Sequence, residues 1–91
     1  MQHFNLTITG RVQRVGFRFS AMEAAYRYSV RGFVMNSGDN DVVIEAEGTP
    51  ENLDKFLNWC RKGPMGSKVE QVAVAEGDMK HYATFEIVNR S

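Results

Sequence analysis

Polar and apolar residues alternate from the start of the chain. Phe4, Leu6 and Ile8 fall on one side of residues 3–9, and Asn5, Thr7 and Thr9 on the other, the pattern of a strand with one face buried. Two glycines bound residues 10–16, which read as a loop. From Phe17 to about residue 30 the period becomes helical. Ala21, Ala24, Ala25 and Tyr28 line one side, while Ser20, Glu23 and Arg27 recur on the other, with Glu23 and Arg27 a favourable i,i+4 pair. Gly32 is expected to end this helix. Residues 33–36 then form a second strand, and Ser37-Gly38-Asp39-Asn40 a turn of residues that tolerate positive φ. In a third strand over residues 42–47, Val42, Ile44 and Ala46 alternate with Val43, Glu45 and Glu47. The two strands around the turn are expected to pair as a hairpin.

A second helix is marked at both ends. Thr49 offers a capping hydroxyl, Pro50 suits the first turn, and Glu51 faces the positive end of the macrodipole. Arg61 and Lys62 complement the other end before Gly63-Pro64 stops it. Between these ends Leu53, Phe56, Leu57 and Cys60 repeat at i, i+3, i+4 and i+7. A fourth strand over residues 69–75, a turn near Gly77-Asp78 and a last strand over residues 84–88 follow. The order β-α-β-β-α-β predicts an α+β fold, a ferredoxin-like split βαββαβ sandwich. Two helices cover one face of a four-stranded, mainly antiparallel sheet. No linker divides residues 1–91, so one domain is expected.

Composition narrows the function mainly by exclusion. Eleven Lys and Arg balance eleven Asp and Glu, so no global field favours nucleic acid or anionic lipid. Any anion site must come from local arrangement. Cys60 is the only cysteine, which excludes an intrachain disulfide and fits a reducing compartment. No apolar run reaches the length of a membrane span, and the first residues do not read as a signal peptide, so a cytoplasmic location is expected.

One local arrangement stands out. Residues 10–18 read GRVQRVGFR and hold Arg11, Arg14 and Arg18, with no acidic side chain before Glu23. Arg18 falls at or near a helix N-terminus, where a cation opposes the macrodipole and Asp, Glu, Ser or Thr would serve stability better. The simplest resolution is a bound anion, held jointly by loop N–H groups, the helix end and the guanidinium.

GRVQRVGFR resembles the first signature of the acylphosphatase family, GxVQGVxFR. GFVMNSGDNDVVIEAEG, residues 32–48, is similar to the second, an aromatic and an asparagine between glycines on the hairpin. Lys62-Gly63-Pro64, followed by Ser67 and Val69, also resembles the family, and the similarity spans nearly the whole chain. The resemblance implies hydrolysis of acyl phosphates to a carboxylate and inorganic phosphate, without cofactor or metal. The implied partners are a small-molecule acyl phosphate and phosphate, with no nucleic acid and no membrane, and the implied state is a monomer. By the same resemblance Arg18 is the catalytic arginine and Asn36 holds the attacking water. The backbone N–H groups of Gln13, Arg14, Val15, Gly16 and Phe17 form the phosphate-binding loop. Two positions depart from the family pattern: Arg14 and Asn40 stand where glycines are usual. Asparagine visits the left-handed region more readily than other residues with a Cβ. An arginine in the loop alters which amides face the anion, crowds the substrate, or adds positive charge at the pocket rim.

The chemistry asks little else of the chain. The leaving group of an acyl phosphate is a carboxylate, whose conjugate acid has a pKa of roughly 4. It departs without protonation, so transfer to water needs positioning and charge stabilisation more than covalent catalysis. No Ser/His/Asp or Cys/His constellation is evident in the sequence, and none is required. A guanidinium binds two phosphoryl oxygens at once. An amide oxygen accepts from water while its NH₂ donates elsewhere.

Two other readings share the fold. One is a catalytically impaired anion-binding module, for which Arg14 is the main support. The other is an RNA-binding ferredoxin-like domain, because Arg31-Gly32-Phe33-Val34 faintly echoes an RNA-recognition signature. That echo falls on the second strand, without further stacking aromatics or a net basic surface. Among the remaining residues, Cys60, Trp59 and the methionines are expected in packing roles. His3 and His81 lack metal-ligand spacing, Arg11 and Arg14 are expected to be solvated, and Glu45 and Glu47 to form a solvated face.

Overall fold

Period-two alternation decides which face of the sheet is covered. The structure, a computed structural model, describes residues 1–89. It contains strand β1 (Gln2–Arg11), helix α1 (Phe17–Arg27), strands β2 (Arg31–Ser37) and β3 (Asp41–Gly48), helix α2 (Pro50–Lys62), and strands β4 (Lys68–Gly77) and β5 (Phe85–Ile87). Leu6 and Ile8 of β1 and Val42, Ile44 and Ala46 of β3 are fully buried, and join Ala21, Ala24 and Ala25 of α1 and Leu53, Phe56 and Cys60 of α2 in one core. The small face of α1 lets that helix lie close to the sheet. No helix among the described residues is long and apolar enough to cross a membrane.

The sheet runs β4-β1-β3-β2-β5. The first four strands are antiparallel neighbours, as expected, and β2 and β3 form the hairpin with Asn36 opposite Val42. The strand count is corrected from four to five. Residues after β4 return as β5, parallel to β2 on its open edge. Hydrogen bonds from Gly32 N–H to the Thr84 carbonyl and from Val88 N–H to the Val34 carbonyl, each 2.9 Å, tie that edge down. Phe85 plugs the core beside Phe56, with ring centroids 5.9 Å apart.

Helix ends show one success and one correction. The Thr49 hydroxyl accepts from Asn52 N–H at 3.2 Å and Gly63 closes α2 on the Trp59 carbonyl, as the sequence predicts. Helix α1 does not run to Gly32. It stops at Arg27, where Ser29 takes φ 56 and Val30 N–H reaches back to the Ala25 carbonyl at 2.8 Å. Gly32 instead lies within β2, where a Cβ would run into the Glu45 carbonyl oxygen of the neighbouring strand. Its role is close approach of two backbones.

The outer sheet face also differs from expectation. Glu45 and Glu47 are not a solvated pair: Glu47 is 1% exposed and Glu45 half-buried, because residues 78–84 fold over them. His3, opposite Glu47 in the β1–β3 register, is equally buried, with Nδ1 2.7 Å from a Glu47 oxygen. Lys80 and Tyr82 donate their backbone N–H groups to the same carboxylate at 2.6 and 3.0 Å. The Tyr82 hydroxyl and Lys80 Nζ donate to Glu45 at 2.6 and 3.0 Å. Met65, expected to pack, is 98% exposed in the turn after α2, while Trp59 does pack on the core.

Burial pushes the Glu47 carboxyl up, but hydrogen bonds from Lys80, His3 and Tyr82 outweigh it and hold it below its ordinary value near 4.5. A carboxyl lowered in the folded state contributes stability that is complete above its unfolded value and lost as pH falls through the folded one. Glu47→Gln, which keeps the shape but removes the charge and one acceptor, is expected to cost about 2 kcal/mol at pH 7. Urea unfolding of both proteins at pH 7 and at pH 3 checks this. The gap narrows as pH falls toward the lowered native value, through which the native carboxyl takes up its proton.

Candidate active site

The loop between β1 and α1 is short and held at both ends. Val12 and Phe17 flank it and are each 1% exposed, so its ends are nailed into the core while residues 13–16 stay at the surface. Gln13 fixes the middle from outside. Its Nε2 donates to the Asp41 carbonyl at 2.8 Å and the Gly38 carbonyl at 3.2 Å, joining the loop to the hairpin turn. Arg14 and Gly16 both take left-handed backbone, with φ 63 and 74. Arg14 therefore adopts a conformation that the usual family glycine reaches without strain, at a cost of roughly 1 kcal/mol.

Helix α1 begins where this loop ends, and it begins unusually. Gly16 is the N-cap, no side chain caps it, and the first turn holds no acid. Among the described residues, the backbone N–H groups of Gln13, Arg14, Val15, Gly16 and Phe17 find no protein acceptor. Arg18 is the second residue of the helix. Its guanidinium makes no ion pair among the described residues, and Nη1 donates to Asn89 Oδ1 at 3.1 Å.

A cleft of about 210 Å³ opens at this helix end. Arg14, Gly16, Arg18, Asn36 and Asn89 supply its polar lining, and Val12, Phe17, Phe19 and Ile87 its apolar walls. Two guanidiniums and no carboxylate line it. Asn36 enters from the end of β2, on the helix side of the sheet, and its Oδ1 is buried without a hydrogen-bond partner among the described residues. An orphaned buried acceptor is destabilising, and such atoms concentrate where a ligand donor belongs.

Five of the seven residues singled out in the sequence thus line one cleft: Arg14, Gly16, Phe17, Arg18 and Asn36. Gln13 lines a neighbouring cleft with Arg11 and Asp39, and Val15 packs against the core. Asn89 and the latching side chain of Gln13 escaped the sequence reading. Nothing local marks Asn89, which lies 71 residues from its partner. Gln13 was visible only as part of a motif. Cys60 lies in the core, where burial pushes its thiol well above the usual range and leaves it protonated. Phe33, of the RNA-like echo, packs edge-on against Tyr82 at 6.0 Å. Among the described residues no group of three or more His, Cys, Asp or Glu is placed to hold a metal ion.

The acylphosphatase family model matches residues 4–87 of the sequence. The chain belongs to the acylphosphatase family. A family protein named acylphosphatase from Listeria welshimeri is 42% identical over 85 residues, 91% of each chain. Another, from Thermotoga maritima, is 39% identical over 87 residues, 96% of this chain and 97% of its own. The crystal structure of acylphosphatase from Bacillus subtilis superposes with a TM-score of 0.94 at 34% identity, over 97% of this chain and 99% of that one. The fold seen here, with five strands and two helices, is the family's.

Two substitutions probe how the loop is held. Gln13→Ala removes both bonds to the hairpin turn and is expected to lower stability by about 1–2 kcal/mol. Arg14→Gly relieves left-handed strain but loosens the unfolded chain, for a net gain of up to about 0.5 kcal/mol. Thermal unfolding of the two variants against the parent reads both signs. A lower midpoint for Arg14→Gly would contradict the account of the loop.

Proposed function

We propose that this chain hydrolyses acyl phosphates to a carboxylate and inorganic phosphate. The observation that carries the proposal is the convergence of an uncapped helix N-terminus, the Arg18 guanidinium and the orphaned Asn36 oxygen on one cleft. The phosphoryl group lies against the loop amides and the start of α1, where unpaired N–H groups and the macrodipole favour an anion. Arg18 clasps two of its oxygens through its planar fork. Its bond to Asn89 holds the guanidinium toward the cleft without neutralising it.

Asn36 places the nucleophile. Its buried Oδ1 accepts a hydrogen bond from water, which aims a water lone pair at phosphorus. As the water oxygen bonds to phosphorus, the bond to the acyl oxygen breaks and the carboxylate leaves with the electron pair. The water proton passes to a phosphoryl oxygen, because an amide is too weak a base to keep it. Charge on the equatorial oxygens is met by Arg18 and the amides, already in place before the reaction. The leaving group needs neither an acid nor a metal, so the reaction is expected to be metal-independent.

Arg14 bears on the alternative of an impaired binding module. Its left-handed φ supports a loop path like that of the usual glycine. The reading of an active enzyme is favoured on that ground.

Hydrolysis of benzoyl phosphate, followed by ultraviolet absorbance, tests the reading, with EDTA expected to make no difference. Arg18→Ala and Arg18→Lys are each expected to lose nearly all turnover, at least on the order of 10²–10³-fold. Asn36→Ala lowers kcat more than it weakens phosphate binding. Parent-like turnover by Arg18→Lys would remove the bidentate role. Phosphate binding by the parent protein without turnover would leave only the binding module.

A further inference from the structure

Arg14 unites three observations that the reaction as described does not use. It holds left-handed backbone at φ 63, where glycine, or failing that asparagine or aspartate, is the stable choice. Its side chain is exposed and makes no ion pair or hydrogen bond among the described residues. It lines two clefts at once, the candidate active site and a neighbouring cleft of about 270 Å³ between the loop and the hairpin turn. Backbone strain at the edge of a binding site is a pointer to function.

Charge gives the pointer a direction. The linings of the two clefts together hold Arg11, Arg14 and Arg18 against a single carboxylate, Asp39. The phosphoryl end of a substrate is served by Arg18, the loop amides and the helix end. A neutral acyl end leaves Arg14 nothing to neutralise, whereas an acyl end carrying its own anion meets it on the ridge between the clefts. A guanidinium fork matches a planar carboxylate.

Resting on the hydrolase reading above, we infer that Arg14 is a specificity residue for acyl phosphates of dicarboxylic acids. One carboxyl forms the mixed anhydride in the active-site cleft, and the free one pairs with Arg14. The pair is exposed to solvent, so its contribution is modest and falls with salt.

The test compares kcat/KM for 3- and 4-carboxybenzoyl phosphate with that for benzoyl phosphate. Each ratio is measured on the parent protein and on Arg14→Gly, Arg14→Lys and Arg14→Glu. Intrinsic reactivity, and any general effect of the substitution on the loop, cancel in the comparison of ratios. For at least one isomer the ratio is expected to fall roughly fivefold in Arg14→Gly, further in Arg14→Glu, and less in Arg14→Lys, which keeps the charge without the fork. Adding 0.5 M NaCl moves the parent ratio toward that of Arg14→Gly. If Arg14→Glu fails to fold, Arg14→Gly against the parent decides alone. Ratios unchanged within twofold, with benzoyl phosphate still hydrolysed by the parent, overturn this inference and leave the hydrolase reading standing. No hydrolysis of any of the three by the parent overturns both.

Discussion

The site depends on how α1 begins. The same chain builds two helices and treats their starts in opposite ways. Helix α2 has the Thr49 cap, Pro50 at its first position and Glu51 in its first turn. Helix α1 has a left-handed glycine, no side-chain cap, no acid, and an arginine as its second residue. Every α-helix opens with N–H groups that lack intrahelical partners. At α2 the protein satisfies part of that demand itself. At α1 it leaves the demand open beside a guanidinium, which is the arrangement an oxyanion completes. A local rule broken at one helix and kept at the other points to use rather than neglect.

The remaining architecture serves to hold that opening still. Val12 and Phe17 anchor the loop in the core, and Gln13 straps it to the hairpin turn. The hairpin turn follows directly on the end of β2, where Asn36 lies one residue before the last, so the strap and the Asn36 amide belong to one unit. A second brace comes from the far side of the sheet. His3 and Glu47 pin residues 80 and 82 to the outer face, and the chain leaving them enters β5 along β2. Beyond β5, Asn89 reaches Arg18. A buried polar network on one face is thereby connected through a short parallel strand to the orientation of the guanidinium on the other. Buried groups of this kind are stable only when fully satisfied, and the Glu47 carboxylate accepts three hydrogen bonds.

Much of this was legible in residue order. The alternation in β1 and β3, the caps of α2 and the hairpin turn follow from local periodicity and turn chemistry, and the structure bears them out. The candidate residues on the loop and near the end of β2 stand out through two spaced motifs, and five of the seven line one cleft. The failures share a cause: each needs information from distant parts of the chain. Glu45 and Glu47 look solvated along their own strand, because the segment that buries them comes 33 or more residues later. Gly32 looks like a helix stop until a neighbouring strand presses a carbonyl against it. The last strand itself is expected near residues 84–88, but its place as a fifth strand of the sheet is not, because it pairs along an edge that exists only after β2 is in place. Asn89 carries no local signal, and only its proximity to Arg18 gives it meaning.

The central claim is that the amides of residues 13–17 and the Arg18 guanidinium form one oxyanion site. Titration of the ¹⁵N-labelled protein with inorganic phosphate, followed by amide and guanidinium resonances, tests it most directly. The account predicts that the signals of Gln13, Arg14, Val15, Gly16, Phe17 and the Arg18 side chain move together and saturate with a single dissociation constant. It also predicts that the amides of Lys80 and Tyr82, bound to Glu47, stay where they are. Shifts centred elsewhere on the surface, or loop signals that follow phosphate with no saturation, would contradict it.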